Sequence, residues 1–192
     1  PSANSWNFAK KLGWATADIP IVKWNHARYS NFYDDKGAGM QYVDYSDPKA
    51  VQWSKKIVEQ YVSKGLIGIM IDYNDIIPGN AYYPGVGKDG NEMHNLSQYY
   101  YAKSFYEAMN SYYGEGQFMN TVRAGVAGTQ SFGPLIAGDN ASNFLGIQES
   151  LSALLSSSAT VYTTWATDFG VLGHNLEEMK TQVGSMMRDV KA

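Results

Sequence analysis

No cysteine occurs among the 192 residues, which removes disulfides, thiolate metal sites and a cysteine nucleophile together. Charge is also scarce, at 17% of the chain, below the usual quarter. Fifteen Lys and Arg against 18 Asp and Glu leave a net charge of −3. Nucleic acid and anionic membranes call for concentrated positive charge, so neither is an expected partner. No stretch approaches the roughly 18 uninterrupted apolar residues of a membrane span. The first residues, Pro1 to Trp6, carry neither the basic flank nor the apolar segment of a signal peptide. His26, His94 and His174 are too scattered for a zinc site, and no HExxH spacing exists. The glycine-rich segments 85–90 and 125–133 lack the Lys-Ser/Thr of a phosphate loop. Neither a zinc site nor a nucleotide site is indicated by these residues.

Aromatic residues are what the chain has instead. Tyrosine alone supplies 15 positions, and all aromatics 14%. Planar, weakly charged surfaces rich in Asn, Ser and Gly suit uncharged hydroxylated ligands such as sugars, although a tyrosine-rich core would leave the same composition. The same bias leans toward a secreted or cell-surface bacterial protein. Of the tyrosines, 99, 100, 101 and 106 fall on a helical pattern and read mainly as core. Trp24, Tyr82 and Tyr83 fall in expected loops and are candidates to line a sugar cleft.

Residues 1–42 show no period and read as an irregular loop region; 43–192 read as βα units. Asp47 is a plausible N-cap, Pro48 occupies the first helical position, and Gly65 stops the helix. Leu66 to Ile71 is apolar on both faces, as a buried parallel strand should be. A second helix is expected from Asn95, and strands over 118–122 and 135–137. A helix from about Ser142 to Ser156 leads to a strand over 160–165, and Asn175 opens a last helix with Met179 and Met186 on its core face. The fold class is therefore α/β, with all 192 residues in one domain or in part of a larger one.

Four expected strands lead at their C-terminal edges to Asp72, Arg123, Asp139 and Asp168. That edge is where parallel α/β folds build their sites. Two carboxylates there suit glycoside hydrolysis, one attacking the sugar and the other donating a proton to the leaving oxygen. Arg123 suits the role of holding Asp72 ionised, and an apolar or anionic setting around Asp139 suits the acid. Asp44 reads as structural, orienting its loop, and His94 as fixing the loop after the first strand.

Several segments resemble a known family in order and spacing. Tyr42 to Pro48 followed by Trp53 is similar to the "iDftnP…W" segment of glycoside hydrolase family 31, the α-glucosidase/α-xylosidase group. Gly68 to Asp75 resembles its nucleophile strand "GfwlDmNE", and His94-Asn95 its "HN-x-Y". Arg123-Ala124-Gly125 with Gly128-Thr129-Gln130 resembles "RsG…GsQ". Gly138-Asp139-Asn140 matches "GDN", and Asp168-Phe169-Gly170 is similar to "DIGGF". The resemblance spans roughly residues 40–172, about two thirds of the chain. It implies part of a (β/α)8 TIM barrel, roughly strands 4 to 7 with their helices and a long preceding loop. It also implies an oligosaccharide substrate, Asp72 as nucleophile, Asp139 as acid/base, and a retaining reaction through a glycosyl-aspartate. Arg123 and Asp168 would bind sugar, with Trp24, Tyr73 and Asp75 nearby. The chain departs from the pattern at Asp75, at Ile136-Ala137 and at Val171-Leu172, positions that bear on which sugar is accepted.

A complete barrel of this kind takes about 250 residues and eight strands, so the remainder of a longer polypeptide is expected to complete it. The competing reading is a non-catalytic carbohydrate-binding module derived from a barrel, for which a carboxylate pair has no use. Half a barrel exposes two sheet edges. The isolated 192-residue chain is therefore expected not to melt as a cooperative monomer, and a sharp transition independent of protein concentration would contradict this.

Overall fold

A computed structural model describes residues 42–74, 77, 79–141, 144–162 and 164–169. Trp24, Asp75 and the expected last helix with its methionines lie outside them. The first helix, α1 (Pro48–Val62), begins as its sequence dictates. Asp47 accepts from the Lys49 amide at 2.8 Å, and Pro48 fills a position whose N–H would have no helical partner. The helix closes at Val62, and Gly65 turns the chain at φ +93°, a conformation open to glycine at no steric cost.

Strand β1 (Met70–Ile71) follows, then a small antiparallel hairpin of β2 (Tyr82–Tyr83) and β3 (Lys88–Asp89). The hairpin replaces the loop expected there. Helix α2 runs Gly90–Tyr113, starting five residues before Asn95. The cause is a capping box: Asp89 accepts from the Asn91 and Glu92 amides while Glu92 reaches back to the Asp89 N–H. These bonds satisfy amides that a helix start otherwise leaves open. His94 therefore sits in a helical turn, its carbonyl accepting from Ser97 and Gln98, and not in a loop.

Strands β4 (Thr121–Val122) and β5 (Leu135–Asn140), helix α3 (Phe144–Ser158) and strand β6 (Trp165–Phe169) complete the described chain. The last strand begins where 160–165 was expected to end. Serines 156, 157 and 158 each bond back to a carbonyl of α3, and Thr160 and Val161 continue into a turn, with Val161 at φ +69°. The β-branched run thus turns before it can pair.

Strands β1, β4, β5 and β6 form a parallel sheet in that order. Each new strand adds beside the last, the progression of a barrel wall. Ile71, Val122 and Leu135 fall in one row and are all buried. The first two pack with Ala102 beneath α2. Helices α1 and α2 approach closely through small residues, with Ser54 Oγ 2.5 Å from Ser104 Oγ. Val58, Val62, Ala108 and Met109 close the seam, each larger side chain contributing roughly 1.5–3 kcal/mol by burial. The opposite face of β1 is not covered as expected: Met70 is 41% exposed. The strand's helix-facing side packs against α2, with Ile71 and Ala102 in one cluster among the described residues. Among these residues no helix is long and apolar enough to cross a membrane.

Asp44 is fully buried and joins two segments. It accepts from the Ser46 amide and hydroxyl and, 41 residues on, from the Gly85 amide at 2.8 Å. A Cβ on Gly85 would lie 2.7 Å from Ser46 Oγ, so only glycine allows this approach. Asp44→Ala removes the shared acceptor of two partly buried hydrogen bonds and should cost about 1–3 kcal/mol in a denaturant melt of the full-length protein.

Tyr83 is also buried, in a cluster with Tyr42, Ala81 and Met93, so it is core and not cleft lining; Tyr82 is exposed. The Tyr83 hydroxyl makes no hydrogen bond of good geometry, although Ser97 is near. Burial first, and the Asp44 charge with it, push its pKa up to about 12. Because the folded value exceeds the unfolded one near 10, the stabilising contribution is complete below about pH 10 and is lost as pH rises toward 12. Tyr83→Phe should melt no lower than wild type at pH 7 and lose less stability across that alkaline window.

Candidate active site

The C-terminal edge of the sheet gathers the residues that the strand ends pointed to. Asp72 follows β1 directly and Arg123 follows β4, each one step past the buried row of Ile71 and Val122. Alternation along a strand therefore turns both away from the helices. The Arg123 amide bonds the Ile71 carbonyl at 3.0 Å, which levels the two strand ends. Their side chains meet: Arg123 Nη1 donates to Asp72 Oδ1 at 2.9 Å.

Asp139 reaches the same place by a different route. By register and alternation Ile136 shares the face of Arg123, and Asp139, an odd number of residues further on, should point the other way. It does not, because β5 carries one extra residue. The step from Ile136 to Asp139 stands opposite the shorter step from Ala166 to Asp168 on β6. Such a bulge re-aims a side chain, and Asp139 Oδ1 comes to 3.7 Å from the same Arg123 Nη1. One nitrogen at 2.9 and 3.7 Å limits the two carboxyl oxygens to a separation no greater than the sum, 6.6 Å. That ceiling admits the spacing of about 5–5.5 Å that separates carboxyl groups in retaining glycosidases.

Of the two settings expected to suit an acid, Asp139 has the neighbouring carboxylate and not the apolar enclosure. The Asp139 side chain is 40% exposed and shares the guanidinium with Asp72, whose own side chain is 30% exposed. Its immediate surroundings are charged and open rather than apolar. Behind β1, the Tyr101 hydroxyl is pushed well above the usual phenol range, first by burial and then by the Asp72 charge, so it stays neutral there. Tyr99, Tyr101 and Tyr106 pack against other rings, and Tyr100 against the buried cluster around Tyr83.

Tyr73 lies 46% exposed, its ring centre 5.2 Å from the Arg123 guanidinium carbon. Tyr73 and the buried Asn74 both have left-handed backbones, at φ +65° and +73°. Two such residues in succession cost on the order of 1–3 kcal/mol each and collect at functional sites. Nothing in the sequence pattern announced this strain, nor the bulge in β5. Asp168 stands opposite Asp139 in the β6 register. Gly128, at φ +99°, and Gln130 shape the loop after Arg123: the Gly128 amide donates to Gln130 Oε1, and Thr129 bonds Val126 and Tyr162.

A cavity of about 350 Å3 opens at the other end of the strands, lined by Phe118, Asn120, Pro134 and Thr164. It contains neither Asp72 nor Asp139 and holds no pair of acids.

A four-stranded parallel arc with paired acids at its C-terminal edge is the architecture of a barrel enzyme of the glycosidase type. Residues 14–183 match the model of the glycosyl hydrolases family 31 TIM-barrel domain, and the chain belongs to that family. An α-xylosidase of Emericella nidulans is 30% identical over 133 residues, 69% of this chain and 17% of that protein. An isomaltosyltransferase of Sporosarcina globispora is 24% identical over 176 residues, 78% of this chain and 16% of that protein. The solved structure of a family 31 sulfoquinovosidase from E. rectale, in complex with an aza-sugar inhibitor, superposes with a TM-score of 0.66 at 24% identity. It covers 94% of this chain and 28% of the other, and shares its fold. The chain thus spans about a sixth of the length of the two relatives.

Proposed function

We propose that this chain carries the central part of the active site of a retaining α-glycosidase or α-transglycosylase acting on oligosaccharides. The observation that carries the reading is the single guanidinium that reaches both Asp72 and Asp139 at the sheet's C-terminal edge. Asp72, the more enclosed acid, attacks the anomeric carbon. As that C–O bond forms, the glycosidic C–O bond breaks and its oxygen leaves with a proton from Asp139. Asp139, now a carboxylate, takes a proton from an incoming hydroxyl whose oxygen displaces Asp72 and restores the starting state. The second step runs equally with water or a sugar hydroxyl, and the two relatives, a xylosidase and a transferase, illustrate both outcomes.

Arg123, fixed between the acids, balances their charge and orients Asp72. Asp168, Trp24 and Asp75 join it as sugar-binding candidates, and Tyr73 borders the same cleft. Oligosaccharide is the substrate class, and no cofactor enters the scheme. The exposed faces of Ile67, Met70 and Met119 are suited to cover by further strands, so the rest of a longer polypeptide completes the barrel. A module that only binds sugar gains nothing from two acids held on one cation.

In the full-length protein, Asp72→Asn should lower turnover of an activated aryl α-glycoside by about 10³-fold or more. A mechanism-based glycosyl fluoride should leave a covalent sugar on Asp72, detected by mass spectrometry of the peptide. Near-normal turnover in Asp72→Asn, or reversible binding with no adduct, would refute the reading.

A further inference from the structure

We propose that Tyr73 is a positioning residue that selects which oxygen of Asp72 attacks, an inference that rests on the reading of Asp72 as nucleophile. Asp72 Oδ1 is held by two donors, Arg123 Nη1 at 2.9 Å and the Tyr73 amide at 2.8 Å. An oxygen with two hydrogen bonds, one of them charge-assisted, has its lone pairs engaged and is the weaker nucleophile. Oδ2 is the oxygen left to form the bond to the anomeric carbon, while the leaving oxygen departs with the proton of Asp139.

Both holds on Oδ1 pass through Tyr73. Its left-handed backbone, continued by Asn74, folds the amide back onto the preceding carboxylate. The same turn lays its ring near the Arg123 guanidinium, 5.2 Å from centre to carbon, within cation–π range. Gly138 lies alongside the guanidinium, close enough that a Cβ there would be 3.6 Å from Arg123 Nε and Nη2. The cation is thus bordered by a ring and a bare backbone as well as tied to two carboxylates. A β-region residue at 73 would carry both amide and ring elsewhere. A bulky residue holding φ above zero pays for that conformation in stability, and the strain stands where the attacking atom is defined.

The test compares Tyr73→Phe, Tyr73→Gly and Tyr73→Asn in the full-length protein. Glycine and asparagine both tolerate the left-handed backbone and keep the amide but lack the ring. Gly and Asn should lower kcat by about 10-fold or more with KM within about 2-fold, because a misplaced Arg123 loosens near-attack geometry. Tyr73→Gly should melt no lower than wild type, since it relieves strain, so lost activity could not be assigned to lost folding. Phe should restore kcat to within about 2-fold, because the ring and not the hydroxyl borders Arg123. Wild-type kcat in the Gly or Asn variant, loss confined to KM, or a Phe variant as slow as Gly would each overturn the assignment. Failure of both ringless variants to fold would make Tyr73 merely structural and overturn it too. If Asp72→Asn is inactive while the Tyr73 variants are normal, only this inference fails; an active Asp72→Asn removes the reading beneath it.

Discussion

One arginine governs the geometry of this edge of the sheet. Two carboxylates that close repel each other unless a cation stands between them, and Arg123 supplies it from the intervening strand. Sheet order makes this possible: β4 lies between β1 and β5, so a residue just past β4 is flanked by the strand ends that carry Asp72 and Asp139. Backbone pairing sets the height of all three, and the guanidinium then draws the acids inward. Take away the parallel register and there is no reason for residues so far apart in the chain to share one nitrogen.

Everything behind that edge serves to hold it level. Small residues let α1 and α2 lie close, and their seam buries the helix-facing side of β1 and β4. The Tyr113 hydroxyl donates to the Leu66 carbonyl, fixing the end of α2 to the segment that leads into β1. On the far side, Tyr162 and Thr129 bond in the interior and anchor the loop that follows Arg123. Rigid elements carry the candidate residues, Asp139 near the end of β5 and Asp72 and Arg123 one step past β1 and β4, a placement common to parallel α/β folds.

Much of this could be read from the amino-acid sequence because local chemistry and tertiary need agree. Asp47-Pro48 begins a helix by capping rules alone, and Asp72, Arg123 and Asp139 follow their apolar runs as expected. Where the reading slipped, a local device outweighed the apolar pattern. The Asp89–Glu92 capping box starts α2 early although its first residue is glycine. Serine back-bonding and a turn at Val161 delay β6. Tyr83 went inward because a two-residue strand alternates its faces, leaving Tyr82 outside. The strained pair after Asp72 and the extra residue in β5 have no signature in composition or period, since both are properties of the backbone path.

That extra residue separates the two acids in how they are encoded. The nucleophile candidate is placed by ordinary pleating and needs only the right residue after a regular strand. The acid candidate is placed by an irregularity: three regular steps from Ile136 would turn the carboxylate away from the cleft, and the bulge, which sets those three steps against two of β6, turns it back. A descendant in which those residues paired regularly, at unchanged length, would still display Gly-Asp-Asn to any inspection of its letters while its aspartate faced away from Arg123. The backbone path between the strand's apolar start and its aspartate is thus as much a part of how this candidate acid is placed as the aspartate itself.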